Sequence, residues 1–482
     1  MDRHVRRVLS ALVLACALAP PGASAHAGGA PADKDLGAAV RACAAAVKDA
    51  RVGIVVLDVD SNKVLAQTNE HELLNPASNA KLYTAAAALA ILRGEHRFET
   101  SLSGKAKGDA VQGPIVLRGH GDPSLRTEDL HAMAVELVAR GVRKIEGDVL
   151  VDQAFWDEQT TPPAFDQKPS EWSAFRAPIS AVAVNENTIT LTVRPGEPGG
   201  PARAWFDPPG FVDVEGAVKT AGSGADSVIL KLFPNGGRLG AHLAGAIGED
   251  AKFVRFTRRV DDPRLLPGYV LRAELDQLGV KVGGDVKLGT SSKATTLVRH
   301  VSQPLSALLF ELGKQSDNFY AEMIFKSIAA EAKGRPGKSQ DAADMVQRWV
   351  ESIGASDNGL VIKNGSGLYD ANRVTAHSVT QLLRHAWRSA DLQPDFVAQL
   401  AVGGADGTLR KRLRAGEHRR IVRAKTGTLD DVAALSGYVL GPPGKGPIAF
   451  AIIFNGVGGH VSDARAAADK LVQRIVAAHW AE

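Results

Sequence analysis

Cysteine is almost missing from this chain: two in 482 residues, Cys16 and Cys43. Cys16 falls in an N-terminal stretch that reads as a removable export signal. The mature chain then keeps one thiol and can close no intramolecular disulfide. Cys43 sits in the Ala-rich, helix-like run Arg41 to Val47 and reads as a buried, inert thiol. Long apolar runs are scarce too. The run Val8 to Ala19 is too short to span a bilayer, and nothing later approaches the roughly 20 residues a spanning helix needs. Net charge is also small, +4 for the whole chain. Cleavage after Ala25 removes three Arg and one Asp and leaves about +2, which argues against a polyanion as main partner. No internal repeat of useful length is present.

The signal itself has three parts: a basic start (Arg3, Arg6, Arg7), the apolar run, and the small-residue cleavage site Ala23-Ser24-Ala25. Lipid attachment at Cys16 is a second reading, since Val13-Leu14-Ala15-Cys16 matches half of that signal. With 45% hydrophobic and 23% charged residues, the chain is globular and long enough for two or three domains. After the signal (1–25) and a leader at 26–34, a helix is expected from Leu36 to Asp49. Strands Val52 to Val59 and Lys63 to Gln67 follow, and then a helix opened by Asn75-Pro76 and running to Leu92. From 98 to 299 the texture is β-rich, with short strand-like runs between Gly- and Pro-rich turns and a further subdomain at about 183–258. Helical periodicity returns from Pro304 through Ala330 and from Asp341 to Ile353. Two strands, Leu435 to Leu440 and Ile448 to Phe454, precede a closing helix with Ala464, Ala468, Leu471 and Ile475 on one face. The expectation is an α/β (α+β) fold. One domain built from 26–97 and 300–482, an antiparallel sheet packed by helices, is interrupted by the β-rich insertion 98–299.

Three motifs occur in fixed order: Ser78-Asn79-Ala80-Lys81, Ser316-Asp317-Asn318 and Lys425-Thr426-Gly427-Thr428. Ser78 and Lys81, three apart on a helix, share a face with Cβ atoms about 5–6 Å apart. This is the only Ser-x-x-Lys in the chain. The lysine can accept the serine proton only if part of it is neutral. Burial and a nearby like charge both depress a lysine pKa, and Lys425 is the candidate charge. Ser78 in a first helical turn also has free N–H groups beside it to help an oxyanion. Ser-Asp-Asn occurs twice. Ser316 leads into an amphipathic helix (Phe319, Met323, Ile324, Ile328) and is the copy expected at a cleft, where its hydroxyl relays a proton to a leaving amine. Asn318 is expected to hold a substrate amide and the Lys81 ammonium. Ser356-Asp357-Asn358 is read as a turn in which Asp and Asn bond their own backbone. Lys425 with Thr426 and Thr428 can hold a terminal carboxylate. Gly427 allows close backbone approach by a substrate, and the Thr428 N–H joins that of Ser78 as an oxyanion hole.

This ordered set resembles the D-alanyl-D-alanine carboxypeptidase/endopeptidase family of low-molecular-mass, class C penicillin-binding proteins. Supporting sequence is similar as well: Gly119 to Leu125 (Gly-His-Gly-Asp-Pro-Ser-Leu), Ala177 to Ala181 with Val184 to Asn187, and Asn364-Gly-Ser-Gly-Leu. The gap of 238 residues from Ser78 to Ser316 also agrees with a family that carries inserted domains, and exceeds that of class A β-lactamases. The resemblance implies a penicillin-binding-protein/β-lactamase-like catalytic domain and a serine peptidase acting through an acyl-enzyme on Ser78. The expected substrates are peptidoglycan stem peptides and cross-links, in the periplasm or cell wall. β-Lactams are expected as covalent inhibitors, and neither cofactor nor metal is called for. Asn364 and Tyr369-Asp370 depart from the family's usual Asp and Ser-Arg, in a loop expected to border the site. Asp152 resembles an insertion residue that faces the stem peptide in relatives, although a plain surface turn reads almost as well. His120 beside Asp122 lacks a second histidine at ligand spacing and reads as a loop residue. The basic cluster from Arg410 to Arg423 is read as a solvated face near the site rather than a nucleic-acid surface. Alternatives from the same residues are a β-lactamase and a catalytically silent, wall-binding scaffold.

Overall fold

The computed structural model describes residues 32–291, 294–414 and 420–481. The export signal, most of the leader and part of the basic cluster lie outside the described residues.

A six-stranded, wholly antiparallel sheet organises the outer parts of the chain. Its order is Ala401–Val402, Val422–Leu429, Val432–Val439, Ile448–Asn455, Arg51–Asp58, Val64–Thr68. The central strands are buried on both faces, which is why they read as continuous apolar runs instead of alternating ones. The period of two still sorts their side chains. Phe450, Ile452 and Phe454 face one core, with helices Ala32–Ala44 and Val461–Trp480. Ala449, Ala451 and Ile453 face the other, with helices Ala80–Leu92, Asn318–Ala332, Ser339–Ser352 and Ala376–Arg388. The result is helices, sheet, helices. Cys43 is packed in the first core, where burial pushes its thiol up to about 12.

Strands between Glu99 and Val301 enter four further sheets, none shared with the six-stranded one. Two helices, Thr127–Ala139 and Leu266–Gln277, also form within this β-rich stretch, and the strand-centred sequence reading missed them. Leu130, Met133, Ala134 and Leu137 repeat at helical spacing and cover the sheet's core. A small separate cluster gathers Leu191, Val193, Val218, Leu243 and Ile247.

Two elements depart from expectation near the site. The helix expected from Pro304 to Ala330 is broken: Leu305–Phe310 passes into a π-helical turn, Glu311–Gln315, and Ser316 takes a left-handed conformation (φ 64°). Asp317 then caps a new helix, accepting from the Tyr320 N–H at 2.8 Å. The break turns Ser316 out of the helical wall. Likewise, Asn75-Pro76 opens a 3-10 turn, Ala77–Asn79, before the α-helix begins at Ala80. The Asn75 side chain caps it, accepting from the Ala77 N–H at 2.9 Å, and Ala77 holds φ 44°. The residue before Ser78 is therefore strained.

Candidate active site

The three motifs, each more than a hundred residues from the next in sequence, meet where the Ala77–Asn79 turn packs between the strand Val422–Leu429 and the loop 364–368. Two glycines make this approach possible. A Cβ on Gly427 would lie 2.7 Å from the Pro76 carbonyl oxygen, and one on Gly367 would lie 1.9 Å from that of Ala77. The sequence reading gave Gly427 to a substrate's approach; what comes close to it is the turn carrying Ser78.

Lys81 is fully buried, and its Nζ has three partners: Ser78 Oγ at 3.0 Å, Asn318 Oδ1 at 2.7 Å and the Ser366 carbonyl oxygen at 2.7 Å. Burial lowers its pKa to about 7, while the Asp317 and Glu322 carboxylates pull it partly back up. Of the two effects expected from sequence, burial and the Lys425 charge, burial is thus what brings Lys81 down. The repulsion shows at the other end: Lys425 lies well below an ordinary lysine through burial first and the Lys81 charge second. Asp317 is itself raised to about 6, chiefly by burial.

Lys425 donates to Ser316 Oγ at 2.6 Å and to the Thr426 carbonyl oxygen at 2.9 Å. Asn318 Nδ2 donates to the Phe175 carbonyl oxygen at 2.9 Å, so the amide expected to hold substrate is tied to the inserted region. Thr426 Oγ1 bonds Thr408 Oγ1 at 2.9 Å, and Thr428 Oγ1 accepts from Arg465 Nη2 at 2.6 Å.

Several site residues were not found by motif reading. Arg412 and Arg465 line a cavity of about 280 Å³ together with Ser78, Ser316, Thr408, Thr426 and Thr428. Arg465 lies on the closing helix, of which only the apolar face was read from sequence, and Arg412 belongs to the basic cluster and is held by Asp469 at 2.7 Å. Glu322 is buried and accepts the N–H groups of Gly365 and Ser366 at 3.2 and 2.7 Å, fixing the carbonyl that Lys81 binds. Asn364 stabilises the same turn by accepting the Gly367 N–H at 2.9 Å. No local spacing signals Arg465 or Glu322, because each reaches the site across the fold, whereas Asn364 stands in the Asn364-Gly-Ser-Gly-Leu stretch already expected to border the site.

A larger cleft of about 900 Å³ opens from Ser78. Its lining includes Lys168, Glu171 and Phe175 from the inserted region, Tyr369 and Asp370 from the loop expected to border the site, and Asp430. Tyr369 donates its hydroxyl to Glu171 Oε2 at 2.8 Å. Asp152 does not line this cleft. It sits opposite Arg118 in the strand register, pairs with it at 2.7 Å and borders a separate cavity of about 550 Å³. His120 stacks on Phe155 (centroids 4.9 Å apart), and burial lowers it to about 4. Ser356-Asp357-Asn358 does lead into a turn, closed by the Leu360 N–H on the Asp357 carbonyl oxygen at 3.1 Å, but the Asp357 carboxylate accepts from Thr375 and meets His71 and His377 instead of bonding its own backbone.

Comparisons with known proteins show the family to which the chain belongs. Residues 36–476 match the model of the D-Ala-D-Ala carboxypeptidase 3 (S13) family. A D-alanyl-D-alanine carboxypeptidase from an Actinomadura species is 36% identical over 435 residues, 86% of this chain and 79% of that protein. A D-alanyl-D-alanine carboxypeptidase of Haemophilus influenzae is 25% identical, covering 84% of this chain and 85% of its own. The crystal structure of penicillin-binding protein 4 from Haemophilus influenzae superposes with TM-score 0.74 at 23% identity, over 92% of this chain and 99% of that one. Its complex with a β-lactam superposes with TM-score 0.70 at 23% identity, with the same coverage. With a match across nearly the whole described chain and a close relative over most of its length, this chain belongs to the D-Ala-D-Ala carboxypeptidase 3 (S13) family of peptidases.

Proposed function

We propose that this chain is a serine-type D-alanyl-D-alanine carboxypeptidase and endopeptidase that forms an acyl-enzyme on Ser78. The observation that carries the reading is the set of partners around Lys81 Nζ. Two of them, Asn318 Oδ1 and the Ser366 carbonyl oxygen, can only accept. A neutral Lys81 spends its two N–H bonds on them, and its lone pair is left facing the third partner, the Ser78 hydroxyl at 3.0 Å. With a pKa of about 7, about half of the Lys81 side chains are in that form at neutral pH.

From this arrangement the steps follow. Ser78 Oγ attacks the carbonyl of the penultimate D-Ala as its proton passes to Lys81. The N–H groups of Ser78 and Thr428 stabilise the oxyanion, each such donor being worth about 3–4 kcal/mol. Because Lys425 donates to Ser316 Oγ, the Ser316 O–H is free to point at the leaving nitrogen and deliver its proton, which the Lys425 ammonium replaces. Thr426, Thr428 and the Arg465 guanidinium offer the terminal carboxylate hydrogen bonds and positive charge. Water then attacks the acyl carbonyl, its proton returning through Ser316 to Lys425, while Lys81 gives its proton back to Ser78 Oγ as the acyl group leaves. Gly427 shapes the strand edge against the Ser78 turn. Cross-link cleavage uses the same attack, and the 900 Å³ cleft has room for a second peptide chain.

The export signal points to the periplasm or cell wall, where peptidoglycan is met, and no helix among the described residues is long and apolar enough to cross a membrane. The similarity to a penicillin-binding protein crystallised with a β-lactam supports covalent inhibition by such compounds. Intact-mass spectrometry with penicillin is the test. The native protein should carry an adduct that persists for hours, and Ser78→Ala none. Rapid loss of the adduct with penicillin consumed indicates a β-lactamase, and no adduct at all indicates a silent scaffold.

A further inference from the structure

Away from the Ser78 cleft, three side chains from separate segments converge: His71 in the turn after strand Val64–Thr68, Asp357 in the second Ser-Asp-Asn, and His377 in the first turn of helix Ala376–Arg388. Their facing atoms all lie within 4.8 Å of one another. His71 Nδ1 is 3.1 Å from Asp357 Oδ2, and His377 Nδ1 is 3.1 Å from Asp357 Oδ1 and 3.3 Å from Oδ2.

Burial does not demand this convergence. The His71 side chain is 61% exposed and has water to bond with, yet it turns Nδ1 onto the same carboxylate as its neighbour. A tetrahedral ion with bonds of about 2.0–2.2 Å sets adjacent ligand atoms roughly 3.3–3.6 Å apart, close to the two histidine–carboxylate spacings here, and the two imidazole nitrogens are no more than 4.8 Å apart. Two imidazole nitrogens with one carboxylate suit zinc or another late first-row cation, and suit calcium or magnesium poorly.

The surroundings hold the donors in place. Thr375 Oγ1 donates to Asp357 Oδ2 and also caps the helix by accepting the Ser378 N–H at 2.9 Å, so the carboxylate is oriented from a second layer. The His377 N–H donates to the Glu70 carbonyl oxygen at 2.9 Å, and Leu74 pairs with Val374, fastening the His71 turn to the start of that helix.

We propose that His71, Asp357 and His377 form a surface site for one zinc-class divalent cation, with solvent completing the coordination. The ion would clip the segment that runs from His71 to Ser78 onto the helical layer, a bracing role apart from the chemistry.

The test uses tag-free, chelator-stripped mature protein titrated with zinc chloride by calorimetry, and with cobalt(II) followed by its visible spectrum. The expected result is one equivalent bound by the native protein, cobalt bands of imidazole–carboxylate coordination, and a melting temperature that rises with zinc. His71→Ala and His377→Ala should each weaken binding about 10- to 100-fold or more and abolish the zinc-dependent rise. Both variants should still form the penicillin adduct, which shows that they are folded. No saturable zinc binding by the native protein, equal binding by native and variants, or calcium binding as tight as zinc would each overturn the proposal.

Discussion

Replacing Asp317 by Asn isolates the electrostatic control of the candidate base. Asp317 caps its helix by accepting the Tyr320 N–H, and Asn caps as well as Asp, so the exchange removes a charge while keeping the fold. In the native protein Lys81 has a pKa of about 7. The acylation rate with penicillin should follow its neutral fraction, roughly 0.1 at pH 6, 0.5 at pH 7 and 0.9 at pH 8. Because the Asp317 carboxylate raises Lys81, its loss should move the acid limb to lower pH. A shift of about one unit, ordinary for an opposite charge this near, would make the variant about fivefold faster at pH 6 and leave the plateau at pH 9 unchanged. The native limb should also be shallower, since Asp317 titrates near 6 and the two groups lose protons as a coupled pair.

Stability gives a second readout of the same charge. A carboxyl raised from 3.8 to about 6 binds its proton more tightly in the folded state, so its cost is fully present above pH 6 and vanishes as pH falls through 3.8. Two units amount to at most about 3 kcal/mol. The variant should therefore melt higher than the native protein at pH 8, with the gap closing toward pH 4. Stopped-flow acylation from pH 5 to 9 and melting curves at pH 4 and 8 decide the matter. An acid limb that stays put or moves to higher pH would refute the assignment of Lys81 as the base tuned by Asp317.

The other expectations are simpler. Arg465→Ala should raise KM for a peptide ending in a free D-Ala carboxylate by about tenfold with little change in kcat, as befits the loss of one charged hydrogen bond. An unchanged KM would remove Arg465 from the carboxylate subsite. Gly427→Ala forces a Cβ to 2.7 Å from the Pro76 carbonyl oxygen, which must shift the strand or the Ser78 turn. A loss of about 1–3 kcal/mol in denaturant unfolding and much slower acylation are expected, and native values for both would show that the turn yields freely.

Local signals carried much of this protein into view. Strand Ile448–Asn455 was legible because a strand buried on both faces must be apolar throughout, and the closing helix because Ala464, Ala468, Leu471 and Ile475 repeat at helical spacing. Ser78 and Lys81 were legible as a pair because three residues on a helix place two side chains on one face. The order of the motifs marked Ser316, Asn318 and Lys425, and with them the antiparallel sheet and the family.

What sequence spacing could not supply was anything set by segments meeting across the fold. The left-handed Ser316 follows from a π-helical break that periodicity runs straight through. Arg465 reads as one more polar residue on a helix until the sheet carries Thr428 up to it. Glu322 and the His71–Asp357–His377 cluster depend on approaches between parts of the chain apart in sequence. Even the tuning of Lys81 rests on burial, a property of the packed whole. The sequence by itself determined which chemical groups are present and which local faces they share; the tertiary structure decided their partners, because desolvation and hydrogen bonding arise only where distant segments close on one another.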